Sequence, residues 1–461
     1  MKAETLEAHT SPIAHLVPDD TQDRWLDKTA RRRSVIRRLW HGYINYPRRW
    51  TKKFLRFLHT TPGKMTAMVL LLSIFTLSAG LSMSNIAADR RLDFDHLINN
   101  TEPVSYMAHN LYTSLSSANT AASSGFVLAG TDSEAARADY FTAFQEAGHA
   151  IALTAGGISI DDTQELALIT ELSQKLPIYT GLVETAWANN RQGNPVGVAY
   201  MSEASTLMRE ELLPLAARLY TLTSENVEKQ QQSLTEPLWL PISGLAAALI
   251  ALVLAQIWMS ATTNRRFNKG MLLAFALMAI ATTWVVTANA ITWQAGSKAY
   301  EKASAPLENL TDARILAQQA RTQEMLALVW RQSLESSGTT FATATSSIKE
   351  TLATFNHPTA REAETALTTW ANSHNDILAA LNVGDYETAQ SLALKSETAQ
   401  AYEDLDTALA TLIDENRTIM RAYLDQGVTA STFVSTMVLL ISIISVLSLW
   451  IGIRPRLQEY L

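Results

Sequence analysis

The chain has 461 residues, a formal net charge of −7 and no cysteine. The lack of cysteine excludes disulfides, thiolate metal sites and cysteine nucleophiles. Hydrophobic residues make up 47% of the chain and are concentrated in four stretches, a pattern typical of a membrane protein rather than a soluble enzyme.

Each apolar stretch approaches the ~20 residues that a membrane-spanning helix needs. The pattern predicts transmembrane helices over residues 65–87, 238–260, 270–291 and 431–453. None has an ionisable residue at its centre, which argues against a transport path. Because a long segment without a clear cleavage site precedes the first stretch, we expect a retained helix rather than a signal peptide.

The distribution of basic residues predicts the orientation of these spans. Residues 1–64, 261–269 and 454–461 carry 19 of the 37 Lys and Arg but only seven of the 44 Asp and Glu. The positive-inside rule makes them a cytoplasmic arm, loop and tail of a multi-pass plasma (inner) membrane protein. The basic arm suits an anionic lipid bilayer, and without a recognition fold no nucleic-acid binding is expected. The acidic blocks, residues 88–237 and 292–430, then face outward.

Both acidic blocks read as long helices broken at a few Gly, Pro and Asn positions. Breaks are predicted at residues 130–132, 156–159 and 191–195 of the first block, and at residues 336–338, 356–358 and 382–385 of the second. Three breaks make four helices in each block. The predicted fold is therefore an all-α membrane protein with four transmembrane helices and two extracytoplasmic four-helix bundles in tandem, like a chemoreceptor sensor.

The two halves look like tandem copies, since residues 97–102 and 307–312 are weakly similar and lie at matching distances from their spans. The two halves of one chain would then take the place of the two identical subunits of a homodimeric receptor. A stripe of small residues at Ser243, Ala247, Ala251 and Ala255 permits close helix packing, so a homodimer of the whole chain is also possible.

The most distinctive motif surrounds the break at residues 191–195. Gly193 suits a left-handed turn, Asn194 suits a helix cap and Pro195 suits a first helical position. The side chains next to this turn, at the membrane-distal tip of the bundle, can form hydrogen bonds and are not needed for the turn itself. We predict a partner-binding surface there, formed by Asp132, Asn189, Asn190, Arg191 and Gln192.

An alternative is a small-molecule site. Tyr179, Glu184 and Arg191 would bracket the amino group and carboxylate of an amino acid between helices. We favour the structural interpretation, in which these are bundle-surface or interhelical pairs. It applies equally to the arginines of the second block, Arg314, Arg321 and Arg331.

Catalytic patterns are not found in the sequence. His109, His149, His357 and His374 lack the i, i+3 or i+4 spacing of a helical metal pair. No phosphate loop, kinase signature or nucleophile elbow occurs. We therefore expect a non-enzymatic protein without cofactor or metal.

Residues 111–126, 176–200, 384–386 and 402–406 resemble a family of actinobacterial four-span membrane proteins. The resemblance covers nearly the whole chain from about residue 65 onward. It implies a signal relay for amino-acid availability, controlling nitrogen and glutamate metabolism. Its implied partners are a solute-binding lipoprotein of the GlnH type outside, loaded with Asp, Glu or Gln, and a Ser/Thr kinase of the PknG type inside.

Two other functions stay open. One is a direct chemosensor that binds an amino acid in its outer bundle without a binding protein. The other is a structural envelope protein or a secretion accessory protein, whose role would not depend on a ligand.

Overall fold

The protein is described by a computed structural model that covers residues 60–128, 131–263, 267–330, 337–395 and 397–458. These residues form α-helices, short π-helical turns and connecting loops, without a strand. The predicted basic arm lies almost wholly outside the described residues, as does the middle of the predicted cytoplasmic loop. The all-α prediction is confirmed.

The helices fall into two halves. The first half contains α1 (Thr61–His96), α2 (Glu102–Val127), α3 (Thr131–Gly157), α4 (Thr163–Arg191), α5 (Val196–Leu207), α6 (Leu213–Thr235) and α7 (Trp239–Thr263). The second half contains α8 (Lys269–Ala299), α9 (Ala305–Trp330), α10 (Ser337–Ala353), α11 (Pro358–Asn382), α12 (Tyr386–Lys395), α13 (Glu397–Ser431) and α14 (Val434–Gln458). The predicted breaks agree with these bounds wherever the chain is described.

Among the described residues, four helical segments are long and apolar enough to cross a membrane, and the predicted spans lie on them. The first predicted span lies within α1, which continues beyond both of its predicted ends. The third lies within α8. These helices are longer than their apolar stretches because both run directly into the adjoining acidic block.

The chain divides into two compact units. The smaller unit consists of the described parts of residues 1–77, 248–276 and 444–461, and the larger of residues 78–247 and 277–443. In the smaller unit, α8 and α14 cross at two glycines: a Cβ built on Gly452 would lie 2.6 Å from Cα of Gly270. Ser448 also donates a hydrogen bond to the Gly270 carbonyl at 2.8 Å. Small residues thus allow this close approach, as is common between membrane helices.

The predicted small-residue stripe on α7 is only partly buried. Ser243 is exposed and Ala247 and Ala251 are half-buried, whereas Ala255 is buried, as are Ala248 and Leu252 beside the stripe. The structure therefore covers the stripe at Ala255 and leaves Ser243 uncovered.

The larger unit contains two helical bundles. The first bundle is built by α2 to α6 around a core that includes Tyr112, Tyr140 and Tyr179. The second is built by α9 to α13 around Trp370 and Leu405. The two bundles pack together along α2 and α9.

In the part of the chain that the structure describes, three π-helical turns interrupt the long helices: Leu97–Thr101, Met208–Leu212 and Tyr300–Ser304. Each is followed, two residues later, by a proline: Pro103, Pro214 or Pro306. A proline inside a helix lacks its N–H donor and its ring clashes with the carbonyl four residues earlier. The wider π turn places that carbonyl differently, so the helix continues past the proline without a break.

The π turns give the two halves a common feature at a different offset from the predicted one. Residues 97–102 were expected to correspond to residues 307–312. The turns Leu97–Thr101 and Tyr300–Ser304 are followed by Pro103 and Pro306 in the same way.

A second shared feature is the turn after α4 and after α11. Gly193 and Gly384 have φ angles of +71° and +79°, which favour glycine. After α4, the backbone N–H of Asn194 donates to the backbone carbonyl of Asn189. After α11, the backbone N–H of Asp385 donates to the backbone carbonyl of Ala380. Both turns are Schellman C-caps. The left-handed conformation predicted for Gly193 is confirmed.

Candidate functional site

The predicted tip surface is only partly available for binding. Asn190 donates its side-chain amide to the Phe126 carbonyl at 2.8 Å, which ties the end of α4 to the end of α2. Asn189 donates to the Thr185 carbonyl at 2.9 Å. Arg191 and Gln192 are exposed. Asn190 is exposed as well, but its amide and that of Asn189 are used in hydrogen bonds within the fold.

The other parts of the tip come from both halves of the chain. Asp132 lies in the first turn of α3, and its side chain is outside what the structure describes. Asn194 was expected to cap α5, but that helix begins at Val196. The side-chain amide of Asn194 instead donates hydrogen bonds to the side-chain oxygens of Asn189 and Gln192. From the second half, Gln390 of α12 donates to the Val127 carbonyl at 3.1 Å.

The residues of the alternative small-molecule site are not brought together. Tyr179 is fully buried in the first bundle, where its hydroxyl donates to Asn119 at 3.3 Å and burial raises its pKa. Glu184 pairs with Arg137 at 2.8 Å, and Arg191 is exposed beyond them at the helix end. Their contacts are those of core and surface side chains.

The arginines of the second bundle also have structural partners. Arg314 binds Asp406 through two hydrogen bonds of 2.9 and 2.7 Å. Arg321 pairs with Glu324, three residues later on the same helix, and donates to the Ala393 carbonyl. Arg331 lies outside the described residues.

Glu324 is the centre of a buried polar cluster that sequence reasoning missed. Besides Arg321, it contacts Nδ1 of His374 at 2.7 Å and accepts a hydrogen bond from Trp370 at 3.4 Å. The His374 ring stacks on Phe341, with centroids 3.6 Å apart. Although burial opposes ionisation, Arg321 and His374 hold the pKa of Glu324 below its ordinary value. The Arg321–Glu324 spacing was the one available signal.

A cavity of about 90 Å³ lies between the two bundles, close to two of the π turns. Its lining includes Glu102, which follows the first π turn, and Tyr300 and Ser304 of the third. Tyr220 and Glu228 contribute from α6. Both halves of the chain are needed to form this cavity.

The cavity contains polar side chains that lack partners. His109 is only 3% exposed, and neither of its ring nitrogens has a hydrogen-bond partner among the described residues. Burial, and secondarily the charge of Arg314, lowers the pKa of His109 to about 3, so the ring is neutral. Nε2 of Gln231, also 3% exposed, is unpartnered as well.

Residues 93–232 match the family model of the actinobacterial sensor domain. The match begins near the end of α1, covers the first bundle and ends within α6. No curated protein and no solved structure matches the chain. The chain is thus a membrane protein with a segment, residues 93–232, that is similar in sequence to a sensor domain.

Proposed function

We propose that this protein is a non-enzymatic transmembrane signal relay. The observation that carries the proposal is the helix running from Thr61 through the first π turn to Val127. It joins an apolar span to the sensor-domain segment without a loop. A shift or rotation of one end of such a helix is transmitted to the other end, because a helix is stiff along its axis.

The nature of the input follows from the resemblance of the chain to GlnX, the membrane partner of the lipoprotein GlnH and the kinase PknG. In this proposal, an amino-acid-loaded lipoprotein of the GlnH type docks outside the cell. The docking surface is the tip, with Arg191 and Gln192 as its exposed contacts. Asn190 would act indirectly, by holding α4 against α2.

The output side of the proposal is the cytoplasmic arm, residues 1–64, with the loop at residues 261–269 and the tail at residues 454–461. A change in the spacing of the spans would alter how these segments are presented to a Ser/Thr kinase of the PknG type. Since no enzyme domain is recognised in the sequence, a recruited enzyme is the simplest output.

The test is a pull-down of the full chain in nanodiscs with a GlnH-type lipoprotein, with and without Asp, Glu or Gln. We expect capture that depends on the amino acid and that is lost in Arg191→Ala/Gln192→Ala. Arg218→Ala, which changes an exposed arginine on α6, is the matched control and should bind normally. No capture with any amino acid would remove the lipoprotein from the proposal.

A direct sensor remains the second candidate function, supported by a different observation from the one that first suggested it. Tyr179 and Glu184 do not form a pocket, but the cavity between the bundles has unpartnered polar groups. A ligand there would contact both halves of the chain.

A further inference from the structure

We infer that the cavity between the two bundles binds a small organic cation, specifically a primary ammonium compound with a neighbouring hydroxyl group. The site goes beyond the proposed relay, because it needs no binding protein. Size, unpartnered atoms and charge support it independently.

The cavity has room for a small organic ligand. Its volume of about 90 Å³ is several times the roughly 10–15 Å³ that a single water molecule needs. An amino alcohol of the size of ethanolamine, with four heavy atoms, therefore fits. Glu228 and Glu308 of the lining are exposed, so a ligand can enter from their side.

The unpartnered polar atoms define which groups the ligand must carry. Neutral His109 offers one ring nitrogen as an acceptor, which suits an ammonium donor. Gln231 accepts a hydrogen bond from Ser304 at 3.0 Å, but its Nε2 donor is unused and suits a hydroxyl oxygen. A buried polar group without a partner destabilises a fold. Because folding has already desolvated both groups, a ligand that hydrogen-bonds to them gains these bonds without a further desolvation cost to the protein.

The charge of the cavity favours a cation over an anion. Glu228 and Glu308 line it, and burial together with the charges of Asp312 and Glu228 raises the pKa of Glu308. Arg417 also lines the cavity and lies 3.7 Å from the centre of the Tyr106 ring, and it shares the Glu102 carboxylate with Arg421. The three lining carboxylates, those of Glu102, Glu228 and Glu308, outnumber these two guanidinium groups, so the charge favours a positive ligand.

The position of the cavity links occupancy to the long helices. Tyr300 and Ser304 of the third π turn line it, and Glu102 directly follows the first π turn. A π turn holds one residue more than an α-helical turn, and such turns are frequent at functional sites. A bound cation would bias the register of α1–α2 and α8–α9 together.

The experiment is isothermal titration of the full chain in nanodiscs with ethanolammonium chloride at low ionic strength. We expect saturable binding to one site. The double variant Glu228→Gln/Glu308→Gln, which removes two exposed carboxylates at the cavity, should bind about tenfold more weakly. The control Glu171→Gln/Glu225→Gln removes two exposed carboxylates from another groove and should bind as the wild type does.

Three results would overturn the assignment: no binding to the wild type, equal weakening in both double variants, or binding of sodium acetate as tight as that of ethanolammonium. Circular dichroism of each variant identifies any loss of fold. Ethylammonium, which lacks the hydroxyl, should bind more weakly than ethanolammonium if Gln231 is the second contact. Lipoprotein capture by Glu228→Gln/Glu308→Gln should be normal, which separates failure of this site from failure of the relay.

Discussion

Glu102 of the first bundle accepts a hydrogen bond from Arg417 of the second bundle, a residue 315 positions later in the chain. Arg421 donates to the same carboxylate, with Nε at 2.9 Å. Glu102 is 4% exposed and directly follows the first π turn. One buried carboxylate thus joins the two bundles at the point where the long helix changes register.

We expect Glu102→Ala to lower the free energy of unfolding by about 3 kcal/mol, because it leaves the charge of Arg417 without its partner between the bundles. Glu184→Ala, which removes the carboxylate of the half-exposed pair with Arg137, should cost less than about 1 kcal/mol. Denaturant unfolding in detergent measures both. Equal costs would mean that the Glu102 pair does not hold the bundles together.

The glycine contact between α8 and α14 gives a second prediction. Gly452→Ala places a methyl group against the backbone of Gly270, so we expect a lower melting temperature in detergent. Gly244→Ala is the control, since nothing lies within 4 Å of the added Cβ and alanine favours a helix. Its melting temperature should be unchanged or higher. A thermostable Gly452→Ala would show that the two helices separate without loss of structure.

The two Schellman turns should respond alike if the halves are true repeats. Gly193→Ala and Gly384→Ala each force a Cβ into a left-handed conformation, at a cost of roughly 1 kcal/mol. Gly181→Ala lies inside α4 with open space around it and should not destabilise. Thermal unfolding compares the three. A cost at only one turn would argue that the other glycine is dispensable.

The buried neutral His109 predicts a dependence of stability on pH. Its folded pKa of about 3 lies below the ordinary 6.5, so the unfolded chain binds a proton that the folded chain does not. Stability should therefore fall as the pH drops below about 6.5, approaching 1.4 kcal/mol per pH unit. The pKa of Glu324 is also lowered, but the stability that this carboxylate contributes is lost only when the pH falls below its ordinary pKa of 4.5.

His109→Leu isolates that effect. Leucine has no proton to gain, so the variant should show a shallower loss of stability between pH 6 and pH 5 than the wild type. The other charges that influence the ring, those of Arg314 and Asp406, are present in both proteins. The same slope in wild type and variant would show that His109 is protonated in the folded state.

The sequence predicted the helices well because their ends are set by local chemistry. Gly193 and Gly384 end helices through a conformation that glycine favours, and Pro358 begins α11. Pro103 and Pro306 could not be interpreted in the same way, because a proline in a helical stretch is compatible with a break, a kink or a π turn. Packing against the second bundle is not visible in local sequence.

The candidate sites were harder to predict because they depend on contacts between distant residues. Asn190 looks like a surface donor in the sequence, and only the position of Phe126 shows that it joins two helices. Tyr179 looks like a pocket residue but lies in the core. The cavity combines α2, α6, α9 and α13, so no single motif could indicate it.

The central claim, that an event at the tip changes the inner ends of the spans, can be measured directly. The chain has no cysteine, so spin labels can be placed at Lys64→Cys and Thr262→Cys without removing native thiols. Both side chains are exposed. In nanodiscs, double electron–electron resonance should show a changed label–label distance when amino-acid-loaded lipoprotein is added. The same labels in the variant Arg191→Ala/Gln192→Ala should show no change in distance. An unchanged distance while the lipoprotein is bound would contradict the relay.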